Sequence, residues 1–163
     1  MKVITCPLIA LILLLPGVAA LADESRNENI QFDPGTTGAS IKGSIRGYES
    51  INYKLRARSG QKMHVALKTD NGANYFNVYA PGKGPGDQAI FIGSIEGNQY
   101  TTTLPADGVY TIQVFMMRSA ARRKETATFT LHVEIEPHSA GTRSRHHQRL
   151  AVKSGHHRGL SGG

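Results

Sequence analysis

Four cations, Arg118, Arg122, Arg123 and Lys124, fall within the nine-residue stretch Met-Met-Arg-Ser-Ala-Ala-Arg-Arg-Lys at 116–124. A guanidinium is planar, permanently charged and donates in a fork, so such a cluster suits the grip of carboxylates through paired, charge-assisted hydrogen bonds. If 118–122 makes one helical turn, the i,i+4 spacing sets the guanidinium groups of Arg118 and Arg122 on one side. Most surface charge runs are merely solvated, so the type of the cluster alone assigns no role. Catalytic arrangements are absent between 23 and 137: that span contains no Gly-x-Ser-x-Gly elbow, no His-Glu-x-x-His and no phosphate loop. His64 and His132 alternate with apolar neighbours and are expected on polar strand faces, while Asp70, Asp87 and Asp107 sit in glycine-containing turns. The chain reads as a binder of an acidic partner surface and not as an enzyme. A tyrosine-based DNA breaking and rejoining activity is set aside, because the chain carries an export signal and a small β domain has little room for such a site.

The elements that must position these residues are strands. Ile41, Ile45, Tyr53, Leu55, Ala57, Met63, Val65 and Leu67 alternate with Lys42, Arg46, Lys54, Arg56, Arg58, Lys62, His64 and Lys68, the period-two signature of a sheet with one buried face. Strands are expected over 29–32, 40–46, 51–58, 61–69, 74–79, 89–95, 98–104, 109–115 and 126–135. Turns are expected at Ser59-Gly60, Asp70-Asn71-Gly72, Gly97-Asn98 and Ala106-Asp107-Gly108, with a longer loop over 81–86. Eight or nine short strands in this span predict an all-β fold, an antiparallel β-sandwich of jelly-roll type.

The ends of the chain read differently. Lys2, the apolar run 8–15, the break at Pro16-Gly17 and the small residues at Ala20 and Ala22 form a signal peptide over 1–22, with cleavage expected near Ala22. The apolar run is too short to span a bilayer. Cys6, the sole cysteine, leaves with this segment, so the exported domain over 23–136 must be held by its core without disulfides. The formal charge of +7 is mostly a matter of the last segment: Arg143, Arg145, Arg149, Lys153 and Arg158 follow Pro137 with no acid among them. Between 23 and 137, thirteen basic residues face twelve acidic ones, which removes the case for nucleic acid. The segment 137–163, rich in Gly, Ser, His and Arg, has too few apolar residues to offset its ordering entropy and is expected to be disordered. Its pairs His146-His147 and His156-His157 lack the companion ligands and spacing of a closed metal site, so no metal and no cofactor are expected.

Two sets of segments carry a resemblance. The run from Tyr53 to Val65, then Val78-Tyr79-Ala80-Pro81 and the run from Leu104 to Val114, loosely resemble the pre-peptidase C-terminal type of β-sandwich. More specifically, the run Ile41 to Glu49 with its Gly47-Tyr48 pair, the run Gly60 to Val65, and Arg118-Ser119-Ala120-Ala121-Arg122 resemble the bacterial periplasmic inhibitors of g-type (goose-type) lysozyme, over roughly 28–135. That resemblance implies a stoichiometric inhibitor which inserts loops into the substrate cleft of a muralytic enzyme. It implies contact roles for Tyr48, Arg118 and Arg122, each of which has the required residue type at its motif position. Arg123 and Lys124 are expected to steer the encounter. The implied partner is g-type lysozyme, met by a monomer in the periplasm or outside the cell.

The competing expectation is an exported β-sandwich module that binds cell-wall or carbohydrate polymers, with Phe32, Tyr75, Phe76, Tyr79, Phe91 and Tyr100 as stacking platforms. Alternation assigns most of these rings to the core, and the chain has no tryptophan. A third expectation, adhesion through the basic tail, differs in that truncation after Pro137 would abolish function.

Overall fold

The computed structural model describes residues 24–137, so the expected signal peptide and tail lie outside the described residues. In chain order the elements are β1 (Ser25–Asn29), β2 (Gly38–Arg46), β3 (Ser50–Ala57), β4 (Lys62–Thr69), β5 (Asn74–Tyr79), β6 (Phe91–Ile92), α1 (Gly93–Glu96), β7 (Gln99–Thr103), β8 (Gly108–Met116), α2 (Arg118–Arg122) and β9 (Thr126–Glu136). They form two sheets, ordered β1-β3-β8-β5-β6 and β2-β9-β4-β7. Every pairing is antiparallel except β1 with β3, which is parallel. The expected all-β sandwich is what the chain forms.

Alternation builds the core between the sheets. Ile45, Met63, Val65, Phe129, Leu131 and Val133 point inward from one sheet, and Ile51, Tyr53, Phe76, Val78, Ile112 and Val114 from the other, all buried. Burying each such side chain stabilises the fold by roughly 1.5–3 kcal/mol, and with no cysteine beyond position 6 this burial carries the domain. Ile41, on the edge strand β2, is only partly buried against this cluster. Gly43, also on β2, is covered by the ring of its cross-strand partner Phe129. The hydroxyl of buried Tyr110 donates to the carbonyl of Ala106 at 2.8 Å, pinning the turn that enters β8. Such a buried bond stabilises by about 1 kcal/mol.

Two expected strands are placed differently. The first lies over Ser25–Asn29 instead of 29–32, because backbone pairing to β3 holds this exposed polar stretch and Asn52 donates to Ser25 Oγ at 2.7 Å. Apolar patterning cannot report a strand held that way. The strand expected over 89–95 is cut to Phe91–Ile92. Gly93 sits hard against the Phe76 carbonyl, where any Cβ would collide, and the chain turns into α1 with Glu96 accepting from the Ile92 N–H at 3.1 Å.

The register gathers four chain reversals at one end of the sandwich. Arg46 pairs with Thr126, Thr69 with Phe129, and Asn74 with Met116. The 46–50 turn, the 70–73 loop, α1 and the α2 connection therefore share that end. Buried Asn74 and half-buried Asn98 cross-brace it: Asn74 donates to the Phe115 carbonyl at 2.9 Å and Asn98 to the Asn74 carbonyl at 3.1 Å.

Candidate functional site

The turn between β2 and β3 carries the chain from one sheet to the other. The Glu49 N–H donates to the Arg46 carbonyl at 3.1 Å, and the Arg46 N–H donates to Glu49 Oε2 at 2.9 Å. Gly47 takes a φ of +61°, which a residue with a Cβ reaches only under strain. This sharp reversal leaves Tyr48 at the tip, 39% exposed.

Opposite it stands α2. The Met117 N–H donates to the Ala73 carbonyl at 2.8 Å and fixes where the turn begins. Ala120 and Ala121 are buried, so their small side chains seat the turn on the sandwich and leave Arg118 and Arg122 exposed. The turn ends in a Schellman closure: the Lys124 N–H donates to the Ala121 carbonyl at 2.9 Å and the Glu125 N–H to the Ala120 carbonyl at 3.2 Å. Lys124 occupies the left-handed position of this closure, φ +54°, the sole non-glycine residue with positive φ among the described residues. The two chain reversals are bonded to each other, through Gly47 N–H to the Glu125 carbonyl at 2.9 Å and Arg46 Nε to the Lys124 carbonyl at 3.4 Å.

The cations separate into two kinds. Arg123 donates to Glu125 Oε1 through Nε at 2.7 Å and through Nη2 at 2.6 Å. Asn71 donates to the other Glu125 oxygen at 3.0 Å. The Asn71 bond first, and the Arg123 bond next, hold the Glu125 carboxyl below its ordinary value of 4.5. The other ion pair among the described residues is Lys62 with Glu136, so Arg118, Arg122 and Lys124 have no acidic partner there. Their charge is available to something outside the chain.

A groove of about 590 Å³ opens between the turn and α2, lined by Glu24, Arg46, Gly47, Tyr48, Glu49, Ala121, Arg122 and Lys124. It brings together Tyr48 and Arg122, which lie far apart in sequence. Arg118 stands outside the lining, exposed at the other end of the same helical turn. Arg123, expected among the steering cations, is tied to Glu125, which locally offsets its charge. Sequence reasoning missed the Asn71–Glu125–Arg123 chain and the acidic wall of Glu24 and Glu49. The acid two residues past Arg123 was a usable signal for the first; a contact with Glu24 has none.

Other expected features lie elsewhere. The ring nitrogen Nδ1 of His64 meets Thr101 Oγ1 at 2.6 Å, and that of His132 meets Ser40 Oγ at 2.7 Å, both on the outer face of the β2-β9-β4-β7 sheet. Phe76, Tyr79 and Phe91 are buried, and Phe91 stacks between Phe76 at 5.0 Å and Tyr100 at 4.8 Å between ring centroids. Those rings offer no stacking platform for a polymer, which weighs against the carbohydrate module. Among the described residues no group of three or more His, Cys, Asp or Glu side chains is placed to hold a metal ion. The paired histidines at 146–147 and 156–157 lie outside the described residues.

No protein-family model matches the chain. Individual proteins do. A crystal structure of the periplasmic inhibitor of g-type lysozyme from Aeromonas hydrophila is 41% identical and superposes with a TM-score of 0.65, over 71% of this chain and 100% of that one. The corresponding inhibitor of Salmonella Typhimurium is 29% identical with a TM-score of 0.54, over 68% of this chain and 98% of its own. The inhibitor of g-type lysozyme of Escherichia coli K12 is 29% identical over 113 residues, which make up 68% of this chain and 82% of that protein.

Proposed function

This chain belongs to the family of periplasmic inhibitors of g-type lysozyme, and we propose that it inhibits a g-type lysozyme by seating the Tyr48 turn and the Arg118–Arg122 helical turn in the enzyme's substrate cleft. Family membership supports the target. The groove that joins Tyr48 to Arg122, with uncommitted cations beside it, is the observation that supports the site.

The chemistry follows from the cleft of a glycosidase, where carboxylates protonate the leaving oxygen or activate water. An arginine meets such a group with two parallel charge-assisted bonds, and arginine and tyrosine are residue types that concentrate interface energy. Occupation of the cleft excludes the polymer, so inhibition needs no reaction and no cofactor. A sandwich end braced by Asn74 and Asn98 holds the contact groups in place before the enzyme arrives, which lowers the ordering entropy of association. An interface of about 1,200–2,000 Å² is typical of an enzyme and its protein inhibitor. The acting unit is the monomeric domain 23–136, released into the periplasm by cleavage near Ala22, and its effect is protection of peptidoglycan.

The test is a cell-wall clearing assay with purified 23–136, lacking the basic tail, against g-, c- and i-type lysozymes. Stoichiometric inhibition of the g-type enzyme is expected. Retention of full lytic activity by the g-type enzyme, or inhibition that appears only with the tail restored, would overturn the proposal in favour of an adhesive role for 137–163.

A further inference from the structure

Lys124 is at odds with its own backbone. It fills the left-handed position of a Schellman closure, where glycine is preferred because a Cβ there crowds the chain. The surroundings leave that conformation no freedom. The Lys124 N–H is bonded to the Ala121 carbonyl at 2.9 Å, and its carbonyl accepts from Arg46 Nε at 3.4 Å. The next residue is bonded on both sides, Glu125 N–H to the Ala120 carbonyl at 3.2 Å and Glu125 carbonyl from the Gly47 N–H at 2.9 Å. A residue held in a disfavoured conformation by neighbours that over-determine it points to a demand on its side chain. That side chain makes no hydrogen bond and no ion pair among the described residues, yet it lines the same groove as Tyr48 and Arg122.

Building on the proposed function, we infer that Lys124 is a third fixed cationic contact of the inhibitory surface, its ammonium meeting a carboxylate at the lip of the lysozyme's cleft. The strained backbone aims it. Arg123, one residue earlier, cannot serve in this way because Glu125 already holds its guanidinium at 2.6 Å. The two neighbouring cations thus divide the work: Arg123 braces the connection, and Lys124 reaches outward. A fixed contact and a long-range steering charge differ kinetically, since the first acts on dissociation and the second on association with a strong salt dependence.

The experiment measures association and dissociation rates of the purified domain on immobilised g-type lysozyme for wild type, Lys124→Asn, Lys124→Gly and the double variant Arg118→Ala/Arg122→Ala. Asparagine tolerates the left-handed conformation and removes only the charge. Lys124→Asn is expected to dissociate roughly tenfold faster, with association changed by less than about twofold. Lys124→Gly is expected to lose binding similarly while melting a few degrees higher, roughly 2–5 °C, because the Cβ crowding is relieved. A slower association alone, erased at high salt, would reduce Lys124 to a steering charge and overturn the inference. Unchanged rates in both Lys124 variants would overturn it as well. Wild-type affinity in the double arginine variant would sink the functional reading itself, and the inference with it.

Discussion

Arg118 and Arg122 bear the reading at the level of single residues. Each is exposed and lacks an acidic partner among the described residues, so neither must break an internal bond to meet a target carboxylate. Arg118→Ala or Arg122→Ala should each weaken affinity by about 2 kcal/mol or more, on the order of thirtyfold, as expected when one side of a desolvated charge contact is removed. Titration calorimetry at pH 7 checks this, and equal affinity in both single variants and in the double variant would contradict it. The loss should shrink toward acid pH, where the target's carboxylates take up protons and have less to offer an arginine. The types of Tyr48, Arg118 and Arg122 were legible in the sequence through a motif. The meeting of Tyr48 and Arg122 at one groove, with Arg118 outside it, was not, because it depends on which strands end side by side.

The elements show why a five-residue helical turn can be a rigid contact surface. An isolated turn of that length is not stable in water. α2 persists because Ala120 and Ala121 are buried beneath it and its C-terminal end is closed by two backbone bonds. Glu125 then ties it to the 70–73 loop through Asn71 and to the helical turn's own exit through Arg123. The Glu125 carboxyl titrates below 4.5 in the folded state, so its charge contributes stability above the ordinary carboxylate value, and that contribution is lost as pH falls through the depressed one. Wild type should therefore melt higher than Glu125→Gln at pH 7, with the gap closing toward pH 3. Thermal unfolding of both proteins across that range is the check, and a gap independent of pH would show that the charge is irrelevant. Strands with alternating faces, β3, β4, β8 and β9 above all, could be read directly from the sequence. β1 could not, because it has no apolar face and is held by backbone bonds and Asn52. β6 is shorter than its apolar residues over 89–95 suggest, because the contact of Gly93 with Phe76 that ends it is tertiary.

Across the whole molecule, binding chemistry and stability occupy different places. The core between the sheets is apolar, the outer face of the β2-β9-β4-β7 sheet carries His64 and His132 in local hydrogen bonds, and Arg118, Arg122 and Lys124, exposed and without acidic partners among the described residues, sit on the α2 connection at one end. This division lets contact residues change with little effect on folding, and it makes the site of action a matter of geography. Amide hydrogen exchange of the domain, free and bound to g-type lysozyme, tests that most directly. The account predicts added protection over 46–49 and 117–125, with the outer sheet faces and the opposite end around 58–61 and 104–108 unchanged. Protection confined to those faces or to that opposite end, with exchange at 46–49 and 117–125 as fast as in the free protein, would contradict it.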